Sequence, residues 1–186
     1  GIKKSFGKVV ANENVNLNIN YGEIIALLGE NGSGKTTLMN ILSGIYYADE
    51  GTISIDGKLA SITNPNEAIS LGIGMIHQHY KLVEVFSAMD NIVVGTKGSY
   101  VKPSILKEKI LEMSNKFGLE IEPDKKIYNM SVSEKQTVEI MKVLYRGAKI
   151  LILDEPTSVL TPQETEKLFT ILRKMKEQGN AIIIIT

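Results

Sequence analysis

The 186-residue sequence contains no cysteine, which removes disulfide frameworks and thiolate metal sites from consideration. Only two histidines are present, too few for a histidine-rich metal centre. No apolar run approaches the roughly 20 residues that a helix needs to span a bilayer. No secretory signal pattern is present either, so any membrane association is expected to run through a partner. An excess of one charge is also missing: Lys+Arg and Asp+Glu both total 21, for a formal net charge of zero. A nucleic-acid binder usually carries a basic face, and the balance argues against one. What is present is ordinary globular material, 43% hydrophobic and 23% charged. A chain of this length suits one domain with a substantial core and room for a smaller lobe.

Short apolar runs alternate with helical patterns, which predicts an α/β fold with a mostly parallel sheet flanked by helices. The run 23–28 reads as a buried strand feeding a glycine-rich turn, and 35–43 as a helix halted by Gly44. Residues 52–55 followed by Asp56 and Gly57 read as a strand and hairpin turn in a small antiparallel lobe. Residues 73–76 form another short strand candidate. From 89 to about 129 helical patterns dominate. Leu106, Ile110, Met113 and Phe117 recur at steps of four, three and four, placing them on one helix face. The Met and Phe residues there read as core, in keeping with their burial preferences. This stretch predicts a helical lobe inserted into the sheet domain at about 80–145. Strand patterns return at 149–153 and 181–185. Between them Thr161, Pro162 and Glu164 start a helix, with a cap, a first-turn proline and a capping box. Leu168, Leu172 and Met175 mark its buried face. The chain ends at Thr186 on an apolar strand, beyond which a covering helix is expected. No internal repeat or low-complexity segment is present.

Gly29-Glu30-Asn31-Gly32-Ser33-Gly34-Lys35-Thr36 matches the phosphate-loop pattern G-x-x-x-x-G-K-[ST] at every fixed position. The glycines let the backbone curl so that successive N–H groups point at phosphate oxygens. The Lys35 ammonium suits the β- and γ-phosphates. The Thr36 hydroxyl suits Mg²⁺, with Thr37 behind it and a helix N-terminus adding favourable potential. The bland alternative is a flexible glycine turn between strand and helix. The strand leading in and the helix leading out are the context that the phosphate-binding reading requires.

An apolar strand also ends in two carboxylates, Asp154 and Glu155. Ligands of open parallel sheets sit beyond the carboxyl ends of the strands, so this pair is expected at the same edge as the phosphate loop. In P-loop enzymes the first acid supports Mg²⁺, and Glu155 is then placed to orient and deprotonate an attacking water. A turn or helix cap after a buried strand is the alternative reading, weakened by the company of the phosphate loop.

With these motifs in place, the chain resembles the nucleotide-binding domain of ATP-binding cassette proteins, a P-loop NTPase (RecA-like) fold, nearly end to end. Phe6-Gly7 with the apolar run after it is similar to the family's aromatic loop. The resemblance makes Phe6 a platform for adenine, against the alternative of a plain core phenylalanine. Gln78, in Met75-Ile76-His77-Gln78-His79, resembles the glutamine loop. Its amide would ligate Mg²⁺, contact the water and couple the site to the helical lobe; an ordinary polar loop residue is the alternative. His77 and His79 read as structural or surface residues. Asp154-Glu155-Pro156-Thr157-Ser158 continues the match, while Val159-Leu160-Thr161 takes the place of the usual Ala-Leu-Asp, whose aspartate makes one contact between paired domains in the family.

The family's signature, Leu-Ser-Gly-Gly-Gln, appears here as Met130-Ser131-Val132-Ser133-Glu134. In the family this turn presents its serine and backbone amides to ATP held by the opposite domain, so Ser131 and Ser133 are candidates for that contact. Ser131 and Glu134 also form a capping box for a helix carrying Val138, Met141 and Tyr145. The finer resemblance is to ATP-binding subunits of bacterial simple-sugar and nucleoside importers. It is carried by Gly72-Ile73-Gly74-Met75-Ile76-His77-Gln78-His79, Tyr145-Arg146-Gly147-Ala148-Lys149-Ile150 and Leu160-Thr161-Pro162-Gln163-Glu164.

The resemblance implies an ATP hydrolase using ATP and Mg²⁺ at the cytoplasmic face of a membrane. Its implied partners are a permease subunit, a second cassette and, indirectly, a substrate-binding protein, with no nucleic acid. It implies one cassette over 1–186, the first of two fused ones, with a switch histidine lying beyond Thr186. The fragment alone is then expected to hydrolyse ATP weakly or not at all. A soluble cassette ATPase acting on ribosomes or DNA, and a non-hydrolysing regulatory cassette, are the rival readings.

Overall fold

The computed structural model describes residues 1–96 and 102–186. The chain opens with strands β1 (Ile2–Phe6), β2 (Val9–Val15) and β3 (Ile24–Leu27), followed by helix α1 (Lys35–Leu42). A short hairpin, β4 (Ile53–Ile55) and β5 (Lys58–Ala60), leads to α2 (Pro65–Ser70) and β6 (Ile73–Ile76). Helices α3 (Ala88–Val93), α4 (Pro103–Phe117) and α5 (Val132–Tyr145) come next. The chain then finishes with β7 (Ile150–Asp154), α6 (Pro162–Glu177) and β8 (Ala181–Ile185). Residues 97–101, within the expected helical lobe, lie outside the described residues.

The two runs richest in isoleucine and leucine become the interior strands. β7 and β8 lie side by side in a parallel sheet of order β3-β8-β7-β6, with Ile150 opposite Ala181 and Asp154 opposite Ile185. All five residues of β8 are buried, as expected for a parallel strand covered on both faces. Alternation divides the side chains between two cores. Leu151, Leu153, Ile182 and Ile184 pack with α3, α4, α5 and α6. Ile152, Ile183, Ile185 and Ile73 pack with α1, α2 and residues of the two hairpins. Truncating a side chain such as Ile152 or Leu172, neither of which is exposed, would cost about 2–5 kcal/mol.

The expected boundaries hold to within a residue or two. Helix α1 stops at Leu42, and Gly44 takes a positive φ just beyond it. The expected 56–57 hairpin turn forms with both residues at positive φ, the twist that joins two antiparallel strands tightly. The antiparallel part consists of two hairpins, β1–β2 and β4–β5. Lys3 bridges β1 to Glu50, just before β4, by a 3.0 Å backbone hydrogen bond. On α4, Ile110 and Phe117 are buried and Leu106 and Met113 half-buried, the face read from the periodicity. Thr161 caps α6 with Glu164 completing the box.

Candidate functional site

The parallel order places the carboxyl ends of β3, β8, β7 and β6 along one edge of the sheet. The phosphate loop leaves β3, Asp154 ends β7, and Gln78 lies two residues past β6. With neighbouring strands about 4.8 Å apart, the candidate residues are gathered over a span of roughly 10–15 Å.

The loop between β3 and α1 is largely exposed, and among the described residues Ser33, whose amide donates to the Glu30 carbonyl at 3.2 Å, is the exception in a run of amides without internal partners. Gly34, the N-cap of α1, has φ 89° and no side-chain cap bond. The amides of Asn31, Gly32, Gly34, Lys35, Thr36 and Thr37 donate to no protein acceptor among the described residues. Such a run of free N–H groups at a helix N-terminus is an anion site by construction. Only glycine fits at position 34, because a Cβ there would meet the Ala11 carbonyl oxygen at 2.2 Å. The Lys35 ammonium lies over the loop, donating to the Gly29 and Glu30 carbonyls at 2.5 and 2.9 Å. A phosphate would offer it a charged acceptor in their place.

Asp154 is half-buried, and its carboxyl is raised from the ordinary aspartate value by burial first and by neighbouring Glu155 second, with Lys35 opposing. Burial and the neighbouring carboxylate thus disfavour the ionised form of Asp154, and a bound cation would favour it. The oxygens of Thr36, Gln78 and Asp154 suit Mg²⁺, which prefers one or two carboxylates and completes its shell with phosphates and water.

Glu155 has φ 44°, a left-handed conformation that costs a non-glycine residue about 1–2 kcal/mol. The conformation is held by several bonds. The Glu155 amide donates to the Ile185 carbonyl at 3.0 Å, and the Ser158 hydroxyl donates to the Glu155 carbonyl at 3.0 Å. Gln78 Nε2 donates to Glu155 Oε2 at 2.7 Å, so two residues 77 positions apart in sequence meet directly. Glutamine here can orient the carboxylate without taking its proton-accepting role.

Ser131 and Ser133 lie at the start of α5, and no hydrogen bond links them to the phosphate loop among the described residues. Ser131 caps α5: its oxygen accepts from the Glu134 amide, and Glu134 accepts from the Ser131 amide at 2.7 Å. The two serine hydroxyls lie 3.2 Å apart. Ser133 also approaches Glu164, whose carboxyl is held low first by the Thr161 amide and next by that serine. Phe6 is 45% exposed, which overturns the core-phenylalanine alternative. Tyr46 packs against the Phe6 ring edge-on, centroids 5.2 Å apart, and the Lys4 ammonium lies 5.5 Å from its centre. His77 is half-buried, its imidazole pKa lowered chiefly by that burial, and His79 is exposed; neither joins a metal cluster among the described residues.

Three supporting residues escaped the sequence reading. Asn12 on β2 is buried and donates to the Gly34 carbonyl at 3.1 Å, tying the first hairpin to the phosphate loop. Gln136 on α5 is buried and donates to the Pro156 carbonyl at 2.9 Å. Glu139 is buried and accepts from the Lys81 amide at 2.7 Å. The only available signal was polar residues at positions 136 and 139 amid the apolar pattern of one helix, and that pattern does not say which partner they meet.

The model of the ABC transporter family matches residues 12–158. The nucleoside import ATP-binding protein NupA of Lactococcus lactis subsp. cremoris is 52% identical over 188 residues, covering 100% of this chain and 37% of its own length. The chain thus spans a little over a third of that relative. Among solved structures, the ADP conformation of MJ1267, an ATP-binding cassette of an ABC transporter, superposes with a TM-score of 0.88 at 26% identity. It covers 99% of this chain and 78% of that one. The dimeric structure of MJ0796, a bacterial ABC transporter cassette, gives 0.82 at 26% identity, over 100% of this chain and 85% of that one.

Proposed function

The chain belongs to the ABC transporter family, and from that premise we propose that it is the ATP-binding and ATP-hydrolysing domain of a membrane importer for nucleosides or simple sugars. The observation that carries the reading is the uncapped start of α1, whose free amides share one sheet edge with Lys35, Asp154, Glu155 and Gln78.

In this reading the amides of residues 31–37 and the Lys35 ammonium grip the β- and γ-phosphates of ATP, while the exposed Phe6 ring stacks on adenine. Thr36, Gln78 and Asp154 would hold Mg²⁺, which when bound neutralises charge developing on the transferred phosphoryl group. Glu155 accepts a proton from the attacking water, and the Gln78 amide fixes the direction of its carboxylate. Ser131 and Ser133 face the nucleotide of a second cassette, fused in a longer chain or supplied by a dimer. The segment between β6 and β7 passes closure to a permease subunit, which receives substrate from a binding protein. The domain then works at the cytoplasmic face of the membrane as a peripheral subunit. No helix among the described residues is long and apolar enough to cross it. The nucleoside reading draws on the importer-like segments of the sequence and on the likeness to NupA.

The closed capping box at Ser131 favours a second reading, a regulatory cassette that binds ATP without turning it over. One experiment separates the two. In the full-length protein, Glu155→Gln is expected to abolish steady ATP turnover while Mg·ATP still binds. Wild-type turnover in that variant would overturn the assignment of the base. A full-length wild-type protein that binds ATP but shows no turnover would establish the regulatory reading instead.

A further inference from the structure

Helix α5 carries polar side chains on a buried face, where apolar ones would pack at lower cost. Gln136 and Glu139 are both buried and lie three residues apart, so they project from the same side of the helix. Each bonds the backbone near a different member of the pair formed by Glu155 and Gln78. Gln136 Nε2 donates to the carbonyl of Pro156, the residue that follows Glu155, at 2.9 Å. Because a carbonyl only accepts, this partner also fixes which end of the amide faces it. Glu139 accepts from the amide of Lys81, three residues past Gln78, at 2.7 Å, and the Lys142 ammonium donates to the carbonyl of the same residue at 3.0 Å.

We propose that Gln136 is a positioning residue for hydrolysis: it clamps the turn after β7 so that Glu155 keeps its left-handed backbone and presents its carboxylate to Gln78. The proposal rests on the reading of Glu155 as the base. The Glu155 backbone is anchored to β8 through its amide and to Ser158 through its carbonyl, and the clamp to α5 ties the turn to a helix outside it. Without that tie the turn as a whole can shift, which would swing the carboxylate away from its 2.7 Å bond with Gln78. One rigid helix therefore sets both partners of that bond. Since the same helix begins at Ser131, a displacement at the signature turn is carried to both.

The test uses two replacements in the full-length protein. Gln136→Glu keeps the shape and removes the donor wherever its carboxyl is ionised, so it is assayed over a range of pH, while Gln136→Met keeps the volume and removes both polar atoms. Each is expected to lower kcat about ten-fold or more while the Kd for Mg·ATP stays within about two-fold. A purely structural role would not produce that split. The deficit of Gln136→Glu relative to wild type should also narrow as the pH falls, because a protonated carboxyl donates to the Pro156 carbonyl again. The deficit of Gln136→Met should stay constant over the same range. Turnover of both variants within about two-fold of wild type would overturn the clamp, as would a loss of kcat matched by equal loss of affinity, or a deficit in Gln136→Glu that ignores pH. If Glu155→Gln abolishes turnover and the Gln136 variants behave as wild type, the clamp fails alone. If Glu155→Gln retains turnover, the base assignment fails with it.

Discussion

Helices α1 and α5 begin in opposite ways. The start of α1 is a left-handed glycine with no side-chain cap, and the amides of residues 34–37 have no protein acceptor among the described residues. The start of α5 is closed by Ser131 and Glu134 in a reciprocal box, with Lys125 paired to Glu134 at 2.6 Å. The first arrangement forgoes about 1 kcal/mol of capping and leaves donors for a ligand to satisfy. The second is complete without a ligand. A phosphate approaching Ser131 competes with bonds that already exist, whereas a phosphate approaching Lys35 replaces only weaker bonds to carbonyls. The difference teaches that the start of α1 leaves donors open for an anion, whereas the start of α5 is satisfied by the protein itself.

The comparison breaks most sharply at Lys35. Lys35→Ala removes the only side-chain cation bonded to the phosphate loop among the described residues. Losing one or two charge-assisted hydrogen bonds should weaken Mg·ATP binding about 100-fold, by isothermal calorimetry. The melting temperature without nucleotide should barely move, since in the free protein this ammonium serves two carbonyls of an exposed loop. Undiminished affinity would mean that the amides alone grip the phosphates.

The opposite pattern is expected at the other helix. Ser131→Ala should cost about 1 kcal/mol of stability by chemical denaturation, from the lost cap, and leave the affinity of the isolated chain for Mg·ATP unchanged. A fall in that affinity would show that the signature turn serves the chain's own site rather than a partner's.

The smallest effect is expected at Asp154. Its folded pKa is raised, so the native state holds this proton more tightly than the unfolded chain does. Stability contributed by that preference is present at acid pH and is lost as pH rises through the raised value. Asp154→Asn should therefore raise the melting temperature by at most a few degrees at about pH 7, and the gain should vanish near about pH 3. Metal-dependent nucleotide affinity should fall in the same variant. A lower melting temperature at neutral pH would show that Asp154 is stabilised by its neighbours rather than strained by them.

Much of this was legible in the sequence because it depends on neighbours along the chain. The phosphate loop, the boxes at Ser131 and Thr161, and the turn at Asp56-Gly57 are all short-range devices in which spacing fixes chemistry. The buried strands 150–154 and 181–185 announced themselves through uninterrupted Ile and Leu. The opening hairpin did not. β2 reads Val-Val-Ala-Asn-Glu-Asn-Val, a pattern too polar to mark as a strand, and its buried Asn12 acquires meaning only beside Gly34. The exposure of Phe6 on the hairpin was likewise not legible from its neighbours along the chain. Gln136 and Glu139 were invisible as site residues because their partners, Pro156 and Lys81, lie 20 and 58 positions away.

By itself the sequence determined which residues could bind phosphate and which could carry acid–base chemistry, since glycine spacing, an ammonium and paired carboxylates act through local geometry. Only the tertiary structure decided how they meet. Parallel pairing in the order β3-β8-β7-β6 delivers strand ends from distant parts of the chain to one edge. There burial raises Asp154, and Gln78 finds Glu155. Those effects depend on desolvation and on distances across the sheet, which no stretch of contiguous residues specifies.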